Sequence, residues 1–233
     1  LRQLTERSDA KGTFFAVGQL ILFGVTAYLA HYFFVRHLWL WMALTLWIHG
    51  TMRSVGGSGG HEFSHGTVFR TKWLNALFLR IWGLLYFFNF HHYKMSHTYH
   101  HLYTLHPDGD GEVVLPRNYS LKLLALLQIF TIDIAGFFKK IGNDIRVAFT
   151  GKFHDDWSKR IFTPEQTGPL KRAIRWPRIL LVTHLGVLVV SGILGFWMIP
   201  VTFTLGSFIG RWYIFFIGGT MHSGLRDNVP DFR

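Results

Sequence analysis

Apolar residues in this chain come in long blocks separated by short polar stretches. Phe14 to Phe34 carries no charged residue and is long enough to cross a hydrocarbon core, which needs about 20 residues. Leu38 to Met52 follows after the turn Val35-Arg36-His37, so the two blocks predict a helical hairpin. Ile179 to Ile199 and Val201 to Met221 form a second pair joined around Pro200, with Arg211 as the only charge inside. The pattern predicts an all-α integral membrane fold with four transmembrane helices arranged as two hairpins. Two further apolar segments, Leu74 to Phe90 and Leu121 to Phe138, do not declare themselves as spans. From Lys139 to Arg178 the chain is polar, charged and interrupted by Pro164, Pro169 and Pro177, which reads as an excursion outside the membrane.

Composition changes the picture in one respect. Apolar residues make up 49% of the chain, aromatic residues 17% and charged residues 16%, with a mean hydropathy of +0.23. A soluble domain carries about 25% charged residues. The net charge of +11 would suggest nucleic acid in a soluble protein. Here Lys and Arg lie between apolar blocks, so anionic headgroups and acidic proteins are the expected counterparts and nucleic acid is not. The chain has no cysteine, which excludes disulfides and thiolate metal sites. Histidine must therefore carry any metal site.

Histidine is grouped accordingly. His61-Glu62-Phe63-Ser64-His65 and His97-Thr98-Tyr99-His100-His101 both have helix-face spacing, so each set can aim at one ion. Five imidazoles exceed what one structural zinc takes. His31, His37, His49 and His184 lack a spaced partner and read as packed or interfacial histidines. His91, His92, His106 and His154 flank the second cluster and are candidates for supporting it, as is Glu62. Asp108 and Asp110 are candidates for orienting its imidazoles or for a plain turn with Pro107 and Gly109. Gly56-Gly57-Ser58-Gly59-Gly60 lacks the Lys-Ser/Thr ending of a P-loop and reads as a break with close backbone packing before the first cluster.

The clusters also constrain the path of the chain, since both must face one site. A single crossing between His65 and His97 would separate them, so Leu74 to Phe90, with Arg80 and Asn89, is expected to be re-entrant or interfacial. At about 100° per residue, Lys122, Asp133 and Lys140 share a stripe within about 20°, which predicts that Leu121 to Phe138 lies flat as one interfacial helix. Both termini and the middle of the chain then lie on one side. Arg2, Arg7, Lys11 and the basic middle region identify that side as cytoplasmic.

In order and spacing, the H-x-x-x-H and H-x-x-H-H patterns resemble the membrane-bound histidine-box fatty-acid desaturases and related hydroxylases. The match extends over Gly60 to Thr67 and over His106-Pro107-Asp108-Gly109-Asp110, which are similar to bacterial members and imply a bacterial inner membrane. The resemblance implies a non-haem centre of two irons at the cytoplasmic face, using O2 and two electrons to oxidise a C–H bond of an acyl-lipid or fatty acyl thioester. It implies a small acidic electron donor, a ferredoxin or a cytochrome b5-like protein. It also implies His222, in Gly219-Thr220-Met221-His222-Ser223-Gly224, as a ligand beside His61, His65, His97, His100 and His101. Family members carry a third H-x-x-H-H box after the fourth span, whereas this sequence ends at Arg233. Residues 1–233 are therefore read as a single domain truncated at the C-terminus and, with Leu1 first, at the N-terminus, inactive as it stands.

Three alternatives remain open at this level. A lipid or alkane hydroxylase or ketolase has the same boxes. An intramembrane zinc protease uses H-E-x-x-H, with Asp108 as a third ligand, but leaves His97, His100, His101 and His222 without a role. A non-catalytic metal-binding membrane protein needs polar groups along a path through the membrane, for which only Arg211 and His184 are candidates.

Overall fold

The structure is a computed structural model. It describes residues 6–106, 109–112, 122–163 and 165–220, with the side chains of residues 219 and 220 excepted. The described residues are helical: α1 (Asp9–Val35), α2 (Trp39–His65), α3 (Lys72–Leu85), α4 (Phe90–Tyr103), α5 (Leu123–Phe130), α6 (Ile134–Thr150), α7 (Asp156–Ile161), α8 (Thr167–Leu194), α9 (Met198–Phe203), a 3-10 turn (Leu205–Phe208) and α10 (Trp212–Thr220).

Two helices, α1 and α8, are long and apolar enough to cross a membrane. Their apolar side chains point outward. Phe14 is 75% exposed, Tyr28 65%, Val182 73% and Ile193 79%. A core helix of a soluble protein buries such residues, and apolar surface on this scale calls for lipid. Helix α2 is equally long, but its apolar start gives way to buried His49 and Arg53 and then to the first histidine cluster.

Helix α2 differs from expectation, because the glycine run at 56–60 is no break. The helix continues through it to His65. The glycines instead let α3 pack closely: Trp82 Nε1 donates to Gly56 O at 2.9 Å, and a Cβ on Gly56 would collide with the Tyr86 hydroxyl. Helix α2 stops at Gly66, whose φ of +68° closes a Schellman arrangement. Gly66 N–H donates to Phe63 O and Thr67 N–H to Glu62 O.

Helices α3 and α4 together carry the chain from His65 back to His97. Each has 14 residues, too short to cross a bilayer alone. Between them the chain reverses at Phe87, and Trp82, Phe87, Phe90 and Trp176 join Phe63, Phe69 and Phe78 in an aromatic core.

Two predicted continuous helices are broken, and each break answers the other. Leu121 to Phe138 is divided into α5 and α6 at Thr131–Asp133. Val201 to Met221 is divided into α9, the 3-10 turn and α10. The two gaps pair with each other: Asp133 N–H donates to Phe208 O and Gly210 N–H donates to Thr131 O, both at 2.8 Å. Asp133 therefore leaves the expected stripe to cap α6 and accept from Arg211, while Lys140 pairs with Asp144 inside α6.

The gap crosses α2 at close range. A Cβ on Gly50 would collide with the Ile209 carbonyl, and one on Gly210 would lie 2.8 Å from Thr51 Oγ1. Arg53 NH1 donates to Thr202 O at 3.0 Å, its NH2 donates to Ser207 Oγ, and His49 Nε2 lies 3.1 Å from the same Thr202 carbonyl. These donors satisfy a carbonyl that the helix break releases in an apolar setting. The second hairpin also turns earlier than expected. Gly195, with φ +76°, ends α8, and Pro200 lies within α9. Helix α8 itself begins at Thr167 and takes up Pro169 and Pro177.

Candidate metal centre

The two histidine clusters meet because α2 and α4 end side by side. His61 and His65 occupy the last turns of α2, and His97, His100 and His101 the last turns of α4. His61, His65, His97 and His101 each offer one nitrogen within 4.8 Å of all the others. His97 Nε2 lies 3.2 Å from His65 Nε2 and 3.0 Å from His101 Nε2. Imidazole nitrogens bound at about 2.1 Å to one ion sit about 3.0–3.4 Å apart. The donor set therefore fits a divalent metal.

The outer side of the rings is organised by polar partners. His97 Nδ1 donates to Glu112 Oε1 at 2.8 Å, and Ser96 Oγ donates to Glu112 Oε2 at 3.0 Å. With its Nδ1 proton given to Glu112, His97 presents the Nε2 lone pair to the cluster. Trp157 Nε1 donates to Ser96 Oγ at 3.0 Å, tying α7 to this chain of bonds. His61 Nδ1 lies 3.1 Å from the Tyr93 hydroxyl. His100 is turned to Asp110, donating from Nδ1 to Oδ2 at 2.9 Å, and its ring stands beside the group of four. The buried Asp110 also accepts from Leu105 N–H and Glu112 N–H, so one carboxylate shapes the turn that supplies the next.

The electrostatics favour neutral ligands. Burial, then the neighbouring His97, His65 and His100, hold His101 below its ordinary pKa. Burial raises the Glu112 carboxyl, but the hydrogen bonds from His97 and Ser96 outweigh it and leave Glu112 below its ordinary value. Burial, followed by Glu112 and Glu62, raises the Tyr93 phenol, which stays protonated. His61 and His65 are likewise held below their ordinary values, chiefly by burial. These three imidazoles are thus biased toward the neutral form that borderline transition metals accept, with the Glu112 carboxylate behind the cluster.

A family model described as fatty acid desaturase matches residues 36–232. The chain belongs to the fatty acid desaturase family. No curated protein and no solved structure matches it.

Other candidates in this desaturase-family chain fall elsewhere. His222 and Asp108 lie outside the described residues. Glu62 accepts from Thr67 Oγ1 at 2.7 Å and is half exposed, with Oε1 3.8 Å from His61 Nε2. His92 lies 2.7 Å from Ser158 Oγ, His91 packs on Phe90 and Trp176, and His154 lies 2.9 Å from Thr150 Oγ1. None of these three flanking histidines joins the cluster. His49 and His184 have internal partners: Thr26 Oγ1 lies 2.7 Å from His49 Nδ1, and Thr204 Oγ1 lies 2.8 Å from His184 Nδ1. Sequence reading missed Glu112 and Tyr93. Tyr93 stands one helical turn before His97, a signal that was available. Glu112 had none beyond its place in the acidic turn after the second box.

Proposed function

We propose that this chain is part of a membrane-bound, O2-dependent fatty-acid desaturase acting on acyl-lipids or fatty acyl thioesters. The observation that carries the reading is the convergence of two separate histidine pairs on one point in a chain of the desaturase family. The ligand set we propose is His61, His65, His97, His100, His101 and His222, holding two irons. When bound, these would supply the oxidising power by which the acyl chain gives up two hydrogens, while O2 takes up those hydrogens, two donor electrons and two protons to form two waters.

The chain's own residues prepare that chemistry. Glu112 and Asp110 hold the Nδ1 protons of His97 and His100, which turns the opposite nitrogens into donors. Helix α10 runs alongside α2 in the same direction. Trp212 Nε1 donates to Thr51 Oγ1, and Ile214 N–H donates to Ser54 Oγ. That heading, toward the end of α2 that carries His61 and His65, supports a role for His222. Exposed Arg80, Lys94 and Arg172 surround His91 and offer a basic surface to a small acidic electron donor, ferredoxin or cytochrome b5-like. The topology that fits has four passes, through α1, the first half of α2, α8 and the α9–α10 segment, with the histidine face cytoplasmic. The acyl chain then enters from lipid.

Metal analysis of the full-length protein purified in detergent tests this reading. About two irons per chain are expected from the number of imidazoles. Stoichiometric zinc without iron, after growth in iron-replete medium, overturns it. Single cysteines replacing Arg70 and Lys159 should label from the side of the N-terminus, which the native chain permits because it has no cysteine.

A further inference from the structure

A groove of about 590 Å³ lies where the end of α6 meets α8, outside the histidine site. Lys171, Arg175 and Arg178 line it, together with Ile174, Ile179 and Val182. The three cations are spaced i, i+4, i+7, so they share one face of α8 and span about 10 Å along its axis. The same face becomes apolar toward Val182, inside the stretch suited to crossing a membrane. From α6 the groove is lined by Gly151, the left-handed cap of that helix, which presents no side chain.

Charge is unbalanced in this groove. Arg178 Nε donates to Ala148 O at 2.8 Å, which fixes the guanidinium beside Gly151. Among the described residues, no carboxylate lines the groove or forms an ion pair with Lys171, Arg175 or Arg178. Cations on a solvated surface need no groove, and an isolated phosphate needs no apolar wall. A phospholipid with an anionic headgroup uses both: its phosphodiester meets the cations while an acyl chain runs along Ile179 and Val182.

We propose that this groove is a binding site for one anionic glycerophospholipid, held by Lys171, Arg175 and Arg178. The proposal rests on the reading that α8 crosses the membrane. The site's role is to seat α8 and α6 at the interface, and no part of it belongs to the histidine cluster.

The test uses the full-length protein in neutral detergent, with phosphatidylglycerol, phosphatidylcholine or inorganic phosphate added. Phosphatidylglycerol should raise the melting temperature by several degrees more than phosphatidylcholine, and native mass spectrometry should retain one anionic lipid. The double variant Lys171→Gln/Arg175→Gln changes two exposed side chains and should lose most of that difference, with lipid retention falling at least fivefold. Arg178→Gln should also reduce it, while Lys159→Gln, on α7, should not. Full retention of the lipid effect in the double variant overturns the site. An equal effect of inorganic phosphate reassigns it to a free anion and overturns the lipid proposal. Alkaline carbonate extraction separates the two readings. Release of the wild type overturns the membrane placement and the lipid site with it, whereas retention without a phosphatidylglycerol effect overturns the lipid site alone.

Discussion

His65 and His97 face each other across 32 positions of sequence with their Nε2 atoms 3.2 Å apart. Helix α2 delivers the first and α4 the second, and the pair α3 and α4 turns the chain back between them. Each has a second imidazole from its own helix beside it, His61 for His65 and His101 for His97.

Removing one proposed ligand should disable the centre. His65→Ala or His100→Ala in the full-length enzyme is expected to abolish lipid oxidation and reduce bound iron at least twofold, with the protein still in the membrane fraction. His184→Ala is expected to behave oppositely. It loses bonds to Thr204 Oγ1 and Leu84 O and leaves a cavity, so protein yield falls while iron per chain is kept. Metal analysis and the fatty-acid profile of the host, both normalised to membrane protein, distinguish the two. New unsaturated or hydroxylated chains at normal levels from the His65 or His100 variants would refute the assignment.

Glu112 should tune the centre without belonging to it. Glu112→Gln removes the charge that holds His97 Nδ1–H and is expected to weaken metal binding by about 10–100-fold. Competition with a chelator of known affinity measures this directly. Because Glu112 is partly accessible and contributes little to the core, melting temperature should move by only a few degrees. Unchanged metal affinity would show that the bond to His97 is incidental.

His91 sets an acid limit outside the metal site. Burial, then Arg172, Arg80 and Lys94, push it down to about 4 from an ordinary value of 6.5. The folded state therefore disfavours the charged ring. Its stabilising contribution is full above about pH 6.5 and is lost as pH falls toward about 4. Between pH 7.5 and 4.5 the melting temperature of His91→Gln should fall less than that of the wild type. An equal fall in both would mean that the ring titrates normally.

The crossing of α2 by the broken segment depends on Gly50. Gly50→Ala places a methyl group against the Ile209 carbonyl, a backbone atom that cannot rotate away. Overpacking of this kind costs about 1–3 kcal/mol. A clear drop in melting temperature in detergent is expected, against little change for Gly18→Ala, which opens into free space. Equal behaviour of the two variants would place the crossing elsewhere.

What the sequence determined by itself rests on local periodicity and composition. Charge-free blocks at Phe14 to Phe34 and from Ile179 announce apolar helices, because length and hydropathy are properties of a single segment. The spacings His61/His65 and His97/His101 announce shared faces for the same reason, and the order of the boxes points to the family. Tertiary structure decided the rest. Val201 to Met221 is as apolar as a span, yet it breaks because Arg53 and His49, far away on α2, satisfy the carbonyl that the break releases. Leu121 to Phe138 breaks because Thr131 and Asp133 find backbone partners at Gly210 and Phe208. The glycine run at 56–60 stays helical because Trp82 and Tyr86 cover it. Glu112 becomes the partner of His97 only when the acidic turn folds onto α4. In each case the deciding partner lies many residues away, where helical periodicity has no reach.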